Sequence, residues 1–206
     1  MLIVENSVKQ QFARVFILSD WHLFKSMAEC YLRQAAFLRM RDLDVPTGLR
    51  RLVRNSQKRL FIGVGIELLL KALYLKNGYA INKLKGENQT AKFPFKLREV
   101  DKSQLREDQT FLLGILIDQS KKVIVLNEWE AVLRGLRIAQ VFRNKEGHVV
   151  TPRHAYVASN YRDIESALRE LYRTAFGEIL EVQFSLAPNE KPLWRIYPTS
   201  SAVSPT

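Results

Sequence analysis

GIELLLKALYLKNGY, residues 65 to 79, decides how the chain is read. Its apolar residues recur at intervals of three and four, Glu67 precedes Lys71 by one helical turn, and Gly78 stands where a helix C-terminal cap belongs. The stretch therefore predicts the end of a long amphipathic helix that begins near Leu49 and runs to Asn77. It overlaps the longest apolar segment, LFIGVGIELLLKALYL, which is interrupted by two charges and is shorter than the roughly 20 residues a membrane span needs. No membrane association is expected.

The same periodicity continues on both sides. Upstream, a first helix is expected over about residues 8–40, with Phe12, Val15, Phe16, Ser19, Leu23, Met27, Tyr31 and Ala35 on one stripe. It should end before DLDVPTG, where Pro46 and Gly48 mark a turn. Downstream, residues 79–101 are polar and aperiodic and are expected to form a loop. A third helix is expected from Ser103 to Gln119, with Leu105, Phe111, Leu112, Ile115 and Leu116 as its apolar set. KKVIVL, 121 to 126, is compatible with a short strand, a buried connection or the start of the next helix.

A fourth helix should run from Asn127, as N-cap, to Lys145, with Val132, Leu136, Ala139 and Phe142 facing the core. A fifth follows Pro152, starting at Arg153 or Ser159 and reaching Gly177, with Ile164, Leu168, Leu171 and Ala175 in register. After Leu186 come four of the seven prolines, so residues 183–206 are expected to be an extended or disordered tail. The expected fold is all-α: an antiparallel bundle of about five helices over residues 1–182, followed by that tail.

With 206 residues, 47% of them hydrophobic, the chain can bury one substantial core. Its first residues, MLIVENSVKQQ, lack a basic segment followed by an apolar run, so a cytoplasmic protein without a secretory signal is expected. The single cysteine, Cys30, excludes an intramolecular disulfide and a cysteine-based zinc cluster. The three histidines are scattered, and neither a metal nor a cofactor is expected. A formal charge of +11 favours polyanions, and eight basic residues crowd the stretch from Arg33 to Arg59 against Asp42 and Asp44.

Late in the chain, RNKEGH (143 to 148) closes the fourth helix. A basic last turn followed by Gly147 suits a helix terminus with no further role. The segment also sets a permanent cation, an amide and an imidazole close together. An arginine can hold phosphate oxygens through its planar fork, and a histidine can move a proton near neutral pH.

Arg143 and His148, with four residues between them of which Asn144 is the first, resemble the signature of the HEPN family, helical proteins whose nuclease members cut RNA. GIELLLKALYLKNGY resembles the second helix of that family, so by helix order the likeness spans about residues 8–177. The resemblance implies a metal-independent endoribonuclease in which His148 is general acid or base, Arg143 stabilises the phosphorane and Asn144 orients the phosphate or the histidine. It also implies a toxin or defence role, a homodimer with a composite site, and an antitoxin or nucleotidyltransferase partner. A non-catalytic HEPN-like module that binds a nucleotide or a protein is the alternative. Candidate RNA contacts are Arg50, Arg51, Arg54, Lys71, Lys145, Arg153 and His154. HEPN toxins silenced by AMP transfer carry the acceptor tyrosine two residues after the histidine. Val150 stands there in this chain, so that form of control is not carried over.

Overall fold

The computed structural model describes residues 20–39, 44–86, 92–146, 158–185 and 191–199. Among these, five helices are present: α1 (Trp21–Phe37), α2 (Thr47–Lys76), α3 (Leu113–Gln119), α4 (Trp129–Glu146) and α5 (Ala158–Leu171). They are joined by four strands, β1 (Asn82–Leu84), β2 (Leu105–Thr110), β3 (Glu178–Gln183) and β4 (Leu193–Pro198), in two antiparallel two-stranded sheets. The all-α expectation is therefore corrected: the fold is mixed, with helices predominating. Two compact units divide the chain, one of residues 1–27 and 67–125, the other of residues 28–66 and 126–206.

In the first unit, the C-terminal half of α2 ends as expected at Gly78. That glycine has φ of 76°, its N–H donates to Leu75 O and the Tyr79 N–H donates to Tyr74 O. This closes the last turn through a left-handed residue, a conformation in which any Cβ is strained. The segment expected to be a loop contains β1, and the expected third helix is mostly absent. Lys102–Gln104 is a 3-10 turn, β2 follows, and only α3 is helical. LREDQT pairs with β1 from Asn82↔Thr110 to Leu84↔Leu105, and the Asn82 amide donates to Arg106 O at 3.0 Å. Three charged residues in β2 hide the strand from any apolar pattern; backbone pairing with β1 makes it. KKVIVL is not a strand, and its Val125 is 84% exposed. An aromatic cluster fills this unit. Phe93 stacks on Tyr74 at 5.2 Å and meets Phe111 at 3.9 Å, while the Tyr74 hydroxyl donates to Leu116 O at 2.7 Å.

The second unit is built from antiparallel helix pairs. The Arg54 guanidinium reaches Leu38 O and Phe61 meets Tyr31 at 5.9 Å, so α2 returns along α1. Phe142 meets Tyr161 at 5.7 Å and Gly135 meets Asp163 and Ala167, so α5 returns along α4. Val132, Leu136, Ala139 and Phe142 are buried, as are Ile164, Leu168, Leu171 and Ala175, matching the expected faces. The stripe expected on α1 holds at Ala35, which is buried, but fails at Leu23 and Met27, which are 45% and 40% exposed, while Phe24, Ala28, Leu32 and Ala36 are buried. The buried face combines Phe24 and Leu32 with three alanines, whose small side chains permit close helix approach. Phe12, Val15, Phe16 and Ser19 lie outside the described residues.

Helix α5 runs into a π-helical turn, Tyr172–Phe176, which Gly177 closes at φ of 67°. Strand β3 then turns Leu180 and Val182 inward, with Phe184 continuing the alternation. Residues 193–198, expected to lie in an extended tail, form β4 instead. It pairs with β3 in unbroken register from Glu178↔Pro198 to Gln183↔Leu193. Two strands with one apolar face gain stability by packing on helices. Among the described residues, no helix is long and apolar enough to cross a membrane.

Candidate functional site

Along α4, Val132, Leu136 and Ala139 are spaced by four and three, and four residues on stands Arg143. An arginine thus occupies the end of the stripe that faces the core. Glycine at position 63 of α2 makes this possible. A Cβ added to Gly63 would lie 2.6 Å from the Cβ of Arg143 and 2.7 Å from its Cα and N, so the two backbones touch at this crossing. Arg143 itself is half-buried, while Asn144 and Lys145, rotated about 100° and 200° further around the helix, are exposed. Two cations in the last turn also face the negative end of the α4 dipole, which favours them there.

His148, the proton-transfer candidate, lies outside the described residues, as do Arg153 and His154. Of the remaining candidates, Arg50, Arg51 and Arg54 occupy the first two turns of α2, nine residues or more before Gly63. That is about 13 Å along the helix axis at 1.5 Å per residue. Arg50 Nε donates to Val45 O at 3.2 Å and Arg54 Nε to Leu38 O at 3.1 Å. Both therefore tie down the connection between α1 and α2, and Arg51 is the exposed member of the three. Lys71 belongs to the other unit, where its ammonium contacts Glu67 at 2.9 Å with 7% of the side chain exposed. The fold commits that lysine to an internal pair.

A polar cluster that the sequence gives little sign of lies within the second unit. Lys58, in α2, donates from Nζ to Phe184 O at 2.7 Å, and Glu165, in α5, accepts from the Phe184 N–H at 2.6 Å. Both side chains are buried. Burial pushes the Lys58 ammonium down to about 8, helped by the nearby Arg54 cation and opposed by Glu165. Burial likewise raises the Glu165 carboxyl above its ordinary range, against the backbone N–H groups of Phe184 and Ser185 and the Arg169 and Lys58 charges, which lower it. Arg169 approaches Glu165 at 3.8 Å from one helical turn away. Arg59 is buried too, one turn before Gly63 and on the same face of α2. The arrangement can hold a backbone segment firmly. Among the described residues, no group of three histidine, cysteine, aspartate or glutamate side chains could hold a metal ion.

Compared with models of known protein families, with curated proteins and with solved structures, the chain matches none. The functional reading therefore rests on the site residues themselves.

Proposed function

We propose that the chain is a metal-independent endoribonuclease of HEPN type, acting on single-stranded RNA as a toxin or defence effector. The observation that supports it best is the placement of Arg143. Arg143, in the last turn of α4, has its backbone and Cβ packed against Gly63 and is flanked by exposed Asn144 and Lys145. On this reading the RNA 2′-oxygen attacks the adjacent phosphorus and the bond to the 5′-oxygen breaks. A proton leaves the 2′-hydroxyl and one is delivered to the departing oxygen, with His148 serving one of these transfers. Arg143 neutralises the charge that accumulates on the phosphoryl oxygens, and Asn144 orients the phosphate or the imidazole. Two copies would complete the cleft as a homodimer, with an antitoxin or nucleotidyltransferase as the controlling partner; both follow from the family likeness.

The test is cleavage of single-stranded RNA and matching DNA in excess EDTA by the wild-type protein and by His148→Ala, with the product ends identified. The expected result is cleavage of RNA only, insensitive to EDTA, leaving a 2′,3′-cyclic phosphate and lost in the variant. Intact RNA after incubation with folded wild-type protein, or equal cleavage by His148→Ala, overturns it. RNA binding without cleavage would point instead to a non-catalytic module. For the composite site, a mixed dimer with one His148→Ala subunit should lose activity, and full retention would count against a shared cleft.

A further inference from the structure

We propose that Gly63 is a positioning residue for Arg143, a role that rests on the ribonuclease reading for its catalytic meaning but on the helix crossing for its geometry. Two of the three atoms that a Cβ at position 63 would meet belong to the Arg143 backbone, its N and Cα. A flexible side chain could swing aside, but backbone atoms move only with their helix. Any side chain at 63 therefore forces α2 and α4 apart at this point, and the Arg143 backbone shifts relative to α2.

The crossing falls at the arginine. Arg143 occupies the core-facing register of Val132, Leu136 and Ala139, all of them buried, so its Cα–Cβ bond leaves the helix toward α2. A glycine opposite lets the first atoms of the side chain pass between the helices while the arginine as a whole stays half-exposed. The geometry converts an intrinsically poor helix residue into a fixed reference for a cation. Catalytic contacts are sensitive to such shifts, since a misplacement of about 1 Å can cost about 100-fold in rate.

A second glycine in the same unit supplies the control. Gly135, eight residues before Arg143 in α4, meets the Asp163 backbone and the Ala167 side chain of α5, an equally close crossing with no candidate residue in it. Gly63→Ala and Gly135→Ala should both lower the melting temperature. Only Gly63→Ala should shift the Arg143 Nε–Hε resonance in arginine-labelled protein, assigned through Arg143→Lys. It should also lower kcat for RNA cleavage about 10- to 100-fold with KM changed less than about threefold.

The outcomes separate the two ideas. If the wild-type protein cuts RNA and folded Gly63→Ala cuts it equally well with the Arg143 resonance unmoved, the positioning role is wrong and the ribonuclease reading stands. If no RNA is cut but the resonance shifts in Gly63→Ala alone, the ribonuclease reading fails while the positional link is upheld. Should Gly63→Ala not fold, the wild-type protein decides. An Arg143 backbone order parameter near the rigid value of about 0.85 supports the role, and one below about 0.6 overturns it.

Discussion

Lys58 and Glu165 grip the same residue from two helices: the lysine donates to the Phe184 carbonyl at 2.7 Å and the glutamate accepts from the Phe184 N–H at 2.6 Å. Phe184 follows directly on the last residue of β3, so these two contacts fix the inner end of the β3–β4 hairpin to α2 and α5. Each satisfies a buried backbone group that would otherwise lack a partner, and each brings a charge out of water to do so.

Lys58 has a native value of about 8 against an ordinary 10.5, so between those values the unfolded chain binds more protons than the native one. Stability should rise with pH across that window, as the penalty for the buried ammonium is relieved, with a slope of at most about 1.4 kcal/mol per pH unit. Below about 8 the penalty is present in full. Urea denaturation of the wild-type protein and Lys58→Met from pH 7 to 10 should show the difference in stability growing in favour of wild type above pH 8. A difference independent of pH would refute the assignment.

Glu165 makes the complementary case. Glu165→Leu leaves the Phe184 N–H without its acceptor and Lys58 without its counter-charge, and should cost about 3–5 kcal/mol. Glu165→Gln keeps an oxygen acceptor and should cost less, about 1–2 kcal/mol, while lowering the Lys58 value further because the one charge that raises it is gone. Chemical denaturation measures the first effect and NMR titration of the lysine ammonium the second. Hydrogen exchange in β3 and β4 should speed up more in Glu165→Leu than in Glu165→Gln, and the reverse order would sink the account.

On the ribonuclease reading, Arg143→Lys keeps a charge but loses the planar two-pronged contact with phosphate oxygens. It should lower the rate of RNA cleavage about 100-fold with little change in melting temperature. Asn144, exposed and orienting rather than charged, should show a smaller loss of about 10-fold on change to alanine. Initial rates on single-stranded RNA check both. Wild-type activity in Arg143→Lys would mean that a point charge suffices.

The candidate contact residues should separate by environment. Arg51 is exposed on the first turns of α2, and Arg51→Ala should weaken RNA binding with a loss of about 0.7 from the slope of log affinity against log salt. Lys71 is buried and paired with Glu67, so Lys71→Met should leave RNA affinity unchanged and destabilise the fold by about 1–3 kcal/mol. Fluorescence anisotropy at several salt concentrations, with denaturation alongside, distinguishes them. A salt slope altered by Lys71→Met would place that lysine in the interface after all.

The helices were legible wherever large apolar residues mark one face, as in α4 and α5, and where a glycine closes the end, as at Gly78 and Gly177. On α1 the rule misled, because Leu23 and Met27 outweigh Ala28 and Ala36 in any count of hydrophobicity although the alanines, with Phe24 and Leu32, are the buried ones. The strand β2 has no apolar signal to read, since LREDQT is held by pairing with β1. β3 did carry one: Leu180, Val182 and Phe184 alternate, but the prolines that follow suggest an unpaired tail. At the candidate site, the position of Arg143 at a helix end was legible from its periodic approach and basic last turn. The glycine opposite it, and the partnership of Lys58 with Glu165, were not. They depend on which helices cross, and in a sequence such charges look like solvated surface.

Lys58 and its acceptor on Phe184 are 126 residues apart in the chain, which puts a clock on the making of the protein. At about 5–20 residues per second, the ribosome takes roughly 6–25 s to get from one to the other. By the time Phe184 is added the whole of α2 has been synthesised, with Lys58 and Arg59 on what will become its inner surface. Until then burying the Lys58 charge would leave it without this acceptor, so water is its favoured surrounding.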